Sequence, residues 1–316
     1  MTFNTDFLHV YGKPTVEGII RCAPADFQVF EIPSFTPSGS GEHVLLKIRK
    51  IGANTEWIAD RLAEFAGIKS GDVGFAGRKD RHAITEQWFS CYLPGNKEPD
   101  WGLLDIEGAT LIDVTRHLKK IRKGDLKGNL FELTVRGISN PRSLESKLHS
   151  IRDSGVPNYY GEQRFGHDNN NLQYADRLLK GDRSIRRNRN IYLSAARSYM
   201  FNHRLSTMIA RGSWDEISGI DSGPLYGMSR DPRPGEDLLP PECEGWCDGL
   251  QKLRVKTGAR NLKSKPKDLQ WRFTEDTVQL SFFLSAGSFA TSLLREVLDY
   301  REMDLKQKVE IDRQAL

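Results

Sequence analysis

Two kinds of hydrophobic spacing divide this chain. Near both ends, apolar residues recur at every second position; in the middle they recur with a helical step. Residues 129–138, NLFELTVRGI, show the first kind. Asn129, Phe131, Leu133 and Val135 share one face, and Leu130, Glu132, Thr134 and Arg136 share the other, as in a half-buried strand. Residues 277–284 (TVQLSFFL) alternate likewise, and 44–49 (VLLKIR) and 84–93 are β-rich runs. Residues 17–33 (EGIIRCAPADFQVFEIP) read as extended segments around a turn at Pro24–Asp26.

Helical spacing appears elsewhere. Asn54 or Thr55 is placed to cap a helix with Ile58, Leu62 and Phe65 on one stripe, ended by Gly67 and Gly71. Residues 144–151 and 193–210 are helical patches. Ser285 or Ser288 would cap a last helix carrying Phe289, Leu293 and Val297 at i, i+4 and i+8. Residues 222–242 have little period and many turn formers. Strand-rich ends around a more helical, Arg-, Asn-, Gly- and Pro-rich middle predict an α+β domain interrupted by an insertion.

Composition narrows this picture. With 316 residues and 38% hydrophobic content, the chain can build two cores and is no disordered polyelectrolyte. The four cysteines form no CxxC pair, and Cys243 and Cys247 lack a second ligand pair, so zinc is not expected. Scattered cysteines, no signal pattern and no run of about 18 apolar residues point to a cytoplasmic protein without a membrane partner. There is no Rossmann fingerprint or P-loop, so no nucleotide cofactor is expected. Nothing resembles a heptad run, and a monomer without an obligate protein partner is expected.

The net charge of +4 matters only through its clustering. Residues 116–128 (RHLKKIRKGDLKG) hold Arg116, Lys119, Lys120, Arg122, Lys123 and Lys127 against Asp125 alone. Residues 180–190 add Arg183, Arg186, Arg187 and Arg189. Charge runs are usually solvated faces, but two of one sign in a nearly balanced chain favour a polyanion. Tyr159, Tyr160, Phe165, Tyr192 and Tyr199 near the second run offer stacking surfaces, which favours RNA over duplex DNA.

Residues 74–90, GFAGRKDRHAITEQWFS, set one acid, Asp80, on a loop begun by Gly71, Gly74 and Gly77 and crowd it with Arg78, Lys79, Arg81 and His82. By itself such an Asp caps a segment or closes an ion pair. Cations around it would hold it ionised and attract phosphate.

This stretch resembles the AGxKDxxAxTxQ segment of the TruD-type tRNA pseudouridine synthase family. KGNLFELTVR resembles that family's GNxFxL strand, VPNYYGEQRFG its NY(F/Y)GxQRFG motif, and ADFQVFE its PxDFxVxE strand. LSAARSYMFN and AGSFATSLLRE match two more, so six motifs run in order along the chain. Residues 203–258 show no family motif, and Arg21 stands where the family pattern has Lys.

The resemblance implies a pseudouridine-synthase fold with an antiparallel mixed sheet. Residues 1–154 and 260–316 would form the catalytic domain, and 155–259 an inserted, family-specific α/β domain. It implies isomerisation of the uridine at position 13, in the D arm of tRNA, to pseudouridine. Atoms are conserved in that reaction, so no cofactor is needed. Asp80 would be the catalytic nucleophile. Phe131 would stack on the base beside Asn129, whose amide reads the uracil edge, with Phe27 and Phe289 lining the pocket. Arg21 or Lys79 would pair with Asp80. Lys119, Lys120, Arg122, Lys123, Arg186 and Arg187 would meet the RNA backbone. The competing reading is an RNA-binding protein or tRNA chaperone on the same fold. An aspartate-dependent glycosidase would want a second acid in a comparable motif, and the sequence has none.

Overall fold

The computed structural model describes residues 2–95, 98–218, 221–229 and 235–303. The first part of the chain gives β1 (Glu17–Ile20), β2 (Phe27–Pro33), β3 (His43–Ile51), α1 (Thr55–Ala66), β4 (Val73–Phe75), β5 (Ile84–Tyr92), β6 (Ala109–His117) and β7 (Leu126–Val135). The middle gives α2 (Glu145–Ser154), β8 (Val156–Pro157), α3 (Asn170–Leu179), α4 (Arg189–Ala210), β9 (Ser222–Leu225), α5 (Trp246–Lys252), β10 (Gly258–Asn261) and β11 (Lys263–Ser264). The end gives β12 (Lys267–Phe273), β13 (Val278–Ser285), α6 (Ala290–Val297) and β14 (Asp299–Glu302). Of the turn-rich stretch 222–242, residues 230–234 lie outside the described residues.

The chain folds into two compact units. A sheet unit contains residues 16–145, 266–286 and 298–316; a helical unit contains 1–15, 146–265 and 287–297. These bounds differ from those expected. The first 15 residues and the segment 287–297 group with the helical middle: Phe3 and Phe7 enter its core, and Ser292 Oγ donates to the Tyr159 carbonyl at 2.8 Å.

In the sheet unit an eight-stranded mixed sheet runs β12-β13-β7-β2-β5-β3-β6, with β4 beside β5. All these pairs are antiparallel except β2–β5, whose connection passes through β3 and α1. The alternation read in residues 129–135 is real: Phe131, Leu133 and Val135 are buried, while Glu132 is exposed. Helix α1 packs Ile58 and Leu62 on Val44, Leu46, Ile48 and Phe89. It ends at Gly67 in the left-handed region (φ 64°). Asn54 precedes this helix without a side-chain cap, and Thr55 makes other bonds, described below.

The helical unit is organised around α4, whose Tyr199, Met200, Phe201 and Leu205 are fully buried. Phe3 and Phe7 from the N-terminal segment pack edge-on against the Tyr199 ring, 5.5 and 6.2 Å between centroids. Among the described residues, no helix is long and apolar enough to cross a membrane.

Candidate active site

The loop from Gly77 to Arg81 is pinned along its backbone. Gln87 Nε2 donates to the Gly77 carbonyl at 3.2 Å, and the Lys79 amide donates to Thr55 Oγ1 at 3.0 Å. Thr55 Oγ1 in turn donates to Gln87 Oε1 at 2.9 Å. Lys50 Nζ donates to the carbonyl of Asp80 at 2.9 Å, that of Ala53 at 2.9 Å and that of Lys79 at 3.4 Å. The Gly52 amide donates to the Arg81 carbonyl, and Arg81 Nε returns a bond to the Gly52 carbonyl at 2.8 Å. The loop is therefore not hinged by its glycines. Gly71 and Gly77 have open space and no left-handed φ. Gly74 is there because a Cβ would stand 2.3 Å from the Ile121 carbonyl oxygen.

The two neighbours Lys79 and Asp80 diverge. Lys79 turns inward to a closed pair with Glu31, 2.6 Å, with side chains only 6% and 1% exposed. Glu31 also accepts the Trp88 amide. Asp80 turns outward, 52% exposed, and pairs with Arg21 Nη2 through Oδ2 at 2.8 Å. The choice between Arg21 and Lys79 thus falls on Arg21. Among the described residues, Oδ1 of Asp80 accepts no hydrogen bond.

Arg21 is held from several sides. It follows β1, which lies parallel to β14, and its own φ is +59°. A left-handed non-glycine residue costs roughly 1–2 kcal/mol, so its surroundings over-determine it. Its second nitrogen, Nη1, pairs with Glu302 at the end of β14, and its guanidinium lies 4.1 Å above the Phe27 ring. A planar fork satisfies both carboxylates at once; an ammonium is a single point charge.

Register assigns the neighbouring side chains to one face. Lys50 opposes Thr85, Thr85 opposes Val29, Val29 opposes Phe131, and Phe131 opposes Phe282. Cross-strand partners send their side chains to the same side of the sheet. Phe131 lies between Phe27 (6.4 Å, edge-on) and Phe282 (5.5 Å, stacked). Two residues along β7, Asn129 opposes Glu31 on that same face. Its Oδ1 is buried and accepts no hydrogen bond, and Thr85 Oγ1 is in the same condition. A buried polar atom without a partner costs about 1–3 kcal/mol, so both atoms have a hydrogen bond to offer. The GN pair of the strand has a steric reason: a Cβ at Gly128 would stand 2.1 Å from the Leu284 carbonyl oxygen. The opposite face holds a hollow of about 330 Å³ bordered by Gln28, Glu132, Thr134, Gln270 and Arg272, and none of the candidate site residues lines it.

Phe289 belongs to the helical unit and does not join the inward stripe of α6. It precedes the helix, is 37% exposed, and lies 6.3 Å from the Tyr160 ring. Leu293 and Val297 form the buried stripe. Arg260 sits 4.0 Å over Tyr160 and donates to the Gly287 carbonyl at 2.5 Å.

The basic clusters are only partly free. Arg116 is tied to Glu98, outside its own run, at 2.5 Å and to the Gly41 carbonyl. Lys120 is half-buried and donates to the Gly71 carbonyl. Lys119, Arg122, Lys123, Arg186 and Arg187 are exposed and form no ion pair among the described residues. Three expected stacking surfaces are core instead: Tyr159, Phe165 and Tyr199 are at most 2% exposed. Tyr192 does offer a surface, stacked at 4.9 Å on Tyr174, which is 41% exposed.

Sequence reasoning passed over Lys50, Thr55, Glu31, Glu302 and Gln87 as functional residues. Gln87 stood inside the AGxKDxxAxTxQ likeness, so its signal was available. Lys50 lies just past the β-rich run 44–49, and a Lys there ordinarily faces water; here it is fully buried. That burial pulls its ammonium down to about 8, with Lys79 pushing the same way and Asp80 and Glu56 opposing.

The fold matches a solved structure from Methanosarcina mazei described as a tRNA pseudouridine synthase D (TruD), with a TM-score of 0.71 over 94% of this chain and 96% of that one at 18% identity. This likeness carries the fold: an α+β architecture on a mixed sheet, as the sequence predicts. The family profile described as tRNA pseudouridine synthase D (TruD) matches residues 6–185. A tRNA pseudouridine synthase D of Aeromonas hydrophila subsp. hydrophila is 39% identical over 334 residues, covering 94% of this chain and 95% of the relative. The Cellvibrio japonicus tRNA pseudouridine synthase D is 40% identical, with 96% of each chain covered. The chain belongs to the tRNA pseudouridine synthase D family.

Proposed function

We propose that the chain isomerises a uridine of tRNA to pseudouridine, at position 13 in the D arm, with Asp80 as the nucleophile. One observation carries this reading: a carboxylate on a pinned loop is fixed through one oxygen by Arg21 and open at the other, and the Arg21 guanidinium lies over Phe27, whose ring meets Phe131 edge-on.

In this reading an Asp80 oxygen bonds to C1′ as the N1–C1′ bond breaks, and this new bond breaks in turn as C5 takes its place. The freed uracil turns, C5 bonds to C1′, C5 gives up its proton, and N1 gains one. Phe131 and Phe27 hold the ring while it turns. Asn129 Oδ1 accepts the N3–H of uracil, a bond that thymine-like edges keep and a cytosine ring lacks. Phe289 belongs to the helical unit, beside Tyr160, and is given no part in this reading. The target base is drawn out of its stack to reach the acid. Lys119, Arg122, Lys123, Arg186 and Arg187 meet phosphates. Residues 1–154 and 260–316 are proposed as the catalytic part, working as a cytoplasmic monomer without a cofactor.

Pseudouridine mapping of tRNA from cells lacking this gene, complemented with wild type or Asp80→Asn, tests the reading. Loss of one D-arm pseudouridine restored by wild type alone is expected. Unchanged tRNA in all three strains contradicts it and favours an RNA chaperone.

A further inference from the structure

The Asp80 loop is held by a buried lysine of β3, Lys50, and the reaction just proposed gives it no part. Lys50 is 0% exposed at the edge of the row that also carries Thr85 and Phe131. Three carbonyls converge on its Nζ, two of them from Lys79 and Asp80. Burying an ammonium is expensive, and each of these oxygens could otherwise have met a neutral donor. A neutral amine would also leave one of the three carbonyls without a proton. The full set is satisfied only by the ammonium with its three N–H groups.

We infer that Lys50 is a positioning residue for the reaction: by holding the peptide of Asp80 from the inner side of the loop, it sets where the carboxylate points. This inference rests on Asp80 being the nucleophile. The carboxylate itself is fixed through Oδ2 by Arg21 alone, so its aim depends on its backbone staying still. A displacement of about 1 Å at a reacting group costs on the order of 100-fold in rate.

The charged groups facing Lys50 are Glu56 from α1 and Lys79 and Asp80 from the loop. Native Lys50 gives up its proton near pH 8, whereas the unfolded chain holds it to about 10.5. Between those values the unfolded state binds more protons, so this group favours the fold increasingly as pH rises. Turnover, by contrast, loses the third donor over the same window. A fall in kcat without a fall in Tm is the signature, and a merely structural lysine does not produce it.

The test is single-turnover and steady-state kinetics on an unmodified tRNA transcript, from pH 6.5 to 9.5, with wild type, Lys50→Met, Lys50→Arg and Asp80→Asn. Lys50→Met is expected to lose about 100-fold in kcat with KM within about threefold. Lys50→Arg is expected to recover to within about tenfold of wild type. It should also lack the decline that wild type shows around pH 8, because a guanidinium keeps its proton there. Ionisation of the uracil ring at higher pH would persist in both. Lys50→Met with kcat within twofold of wild type overturns the inference. If Lys50→Met does not fold, parallel pH profiles for wild type and Lys50→Arg overturn it, as does a wild-type profile flat across the range. Turnover by Asp80→Asn is a different failure: it removes the nucleophile reading on which this one stands.

Discussion

Asp80 in the sheet unit and Glu296 in the helical unit are both acids set among cations, and they do opposite things with that setting. Asp80 is half exposed, with one oxygen on Arg21 and the other open. Glu296 has a side chain that is 0% exposed. Its Oε2 accepts the amides of Val10 and Tyr11, at 2.9 and 3.5 Å, and its Oε1 stands 3.2 Å from Arg295. Burial pushes its carboxyl up to about 7 although Arg295 and both amides pull it down. His9 beside it is driven down to about 4 by burial and by Arg295, so it adds no charge at neutral pH. Glu296 ties the N-terminal segment to α6, with both of its oxygens engaged. Cations around a carboxylate therefore do not define a reactive acid. What sets Asp80 apart in the proposed reading is an open oxygen on an otherwise pinned loop.

The comparison breaks most visibly at Asp80 itself. Asp80→Asn keeps size and hydrogen bonding to Arg21 but removes the attacking oxyanion. Turnover should fall by at least ~1,000-fold while tRNA affinity stays within about threefold, because the lost interaction belongs to the transition state. Joint collapse of affinity and Tm would make Asp80 as structural as Glu296.

Arg21→Lys sharpens the open side of the comparison. A lysine presents one nitrogen where Arg21 spans Asp80 and Glu302 with two, so it holds Asp80 less well and kcat should drop by about tenfold. Adding Glu302→Gln frees that ammonium for Asp80 and should recover most of the loss. An additive double-mutant cycle would show that Glu302 does not compete.

Glu296→Gln should leave neutral-pH turnover within about twofold and change stability instead. The folded carboxyl holds its proton to about pH 7 and the unfolded one only to about 4.5. Between these values the native state binds more protons, so this group's contribution to stability falls as pH rises, by about 3 kcal/mol over the window. Chemical denaturation from pH 4.5 to 7.5 should show that slope in wild type and not in the variant.

The smallest effects lie on the surface. Replacing Lys119, Arg122 and Lys123 with Ala should weaken tRNA binding a few fold and flatten log K against log salt by roughly 0.7 for each phosphate no longer neutralised. An unchanged slope would put the RNA elsewhere, with Arg186 and Arg187 the next to change. Arg116, closed on Glu98, should alter the slope less than any of the exposed residues.

How much of this was legible in the sequence differs between the two acids for a physical reason. The strands of the site announced themselves through alternation, and the order of the six motifs located Asp80, Asn129 and Phe131. What a period of two cannot reveal is a buried polar residue. Lys50 and Glu31 occupy inward positions of their strands, yet carry side chains that ordinarily face water. Glu296 lies on the buried side of α6, next to Leu293 and Val297, and only tertiary contacts from residues 9–11 explain its place. Likewise, Tyr159, Phe165 and Tyr199 sat beside a basic run and read as stacking surfaces. They are core because Phe3 and Phe7, from the far N-terminal segment, cover them.

The most direct test follows the hydrogen on C5. Forming the C5–C1′ bond must release it to solvent, whatever path the base takes while it turns. A tRNA transcript carrying tritium at C5 of uridine would be incubated with excess wild-type protein or Asp80→Asn, and tritium and free uracil counted in the same samples. One equivalent of tritium per tRNA from wild type, none from Asp80→Asn, and no free uracil is the predicted result. Equal release by both proteins, or release of uracil, would contradict the assignment of Asp80 as the nucleophile of an isomerase.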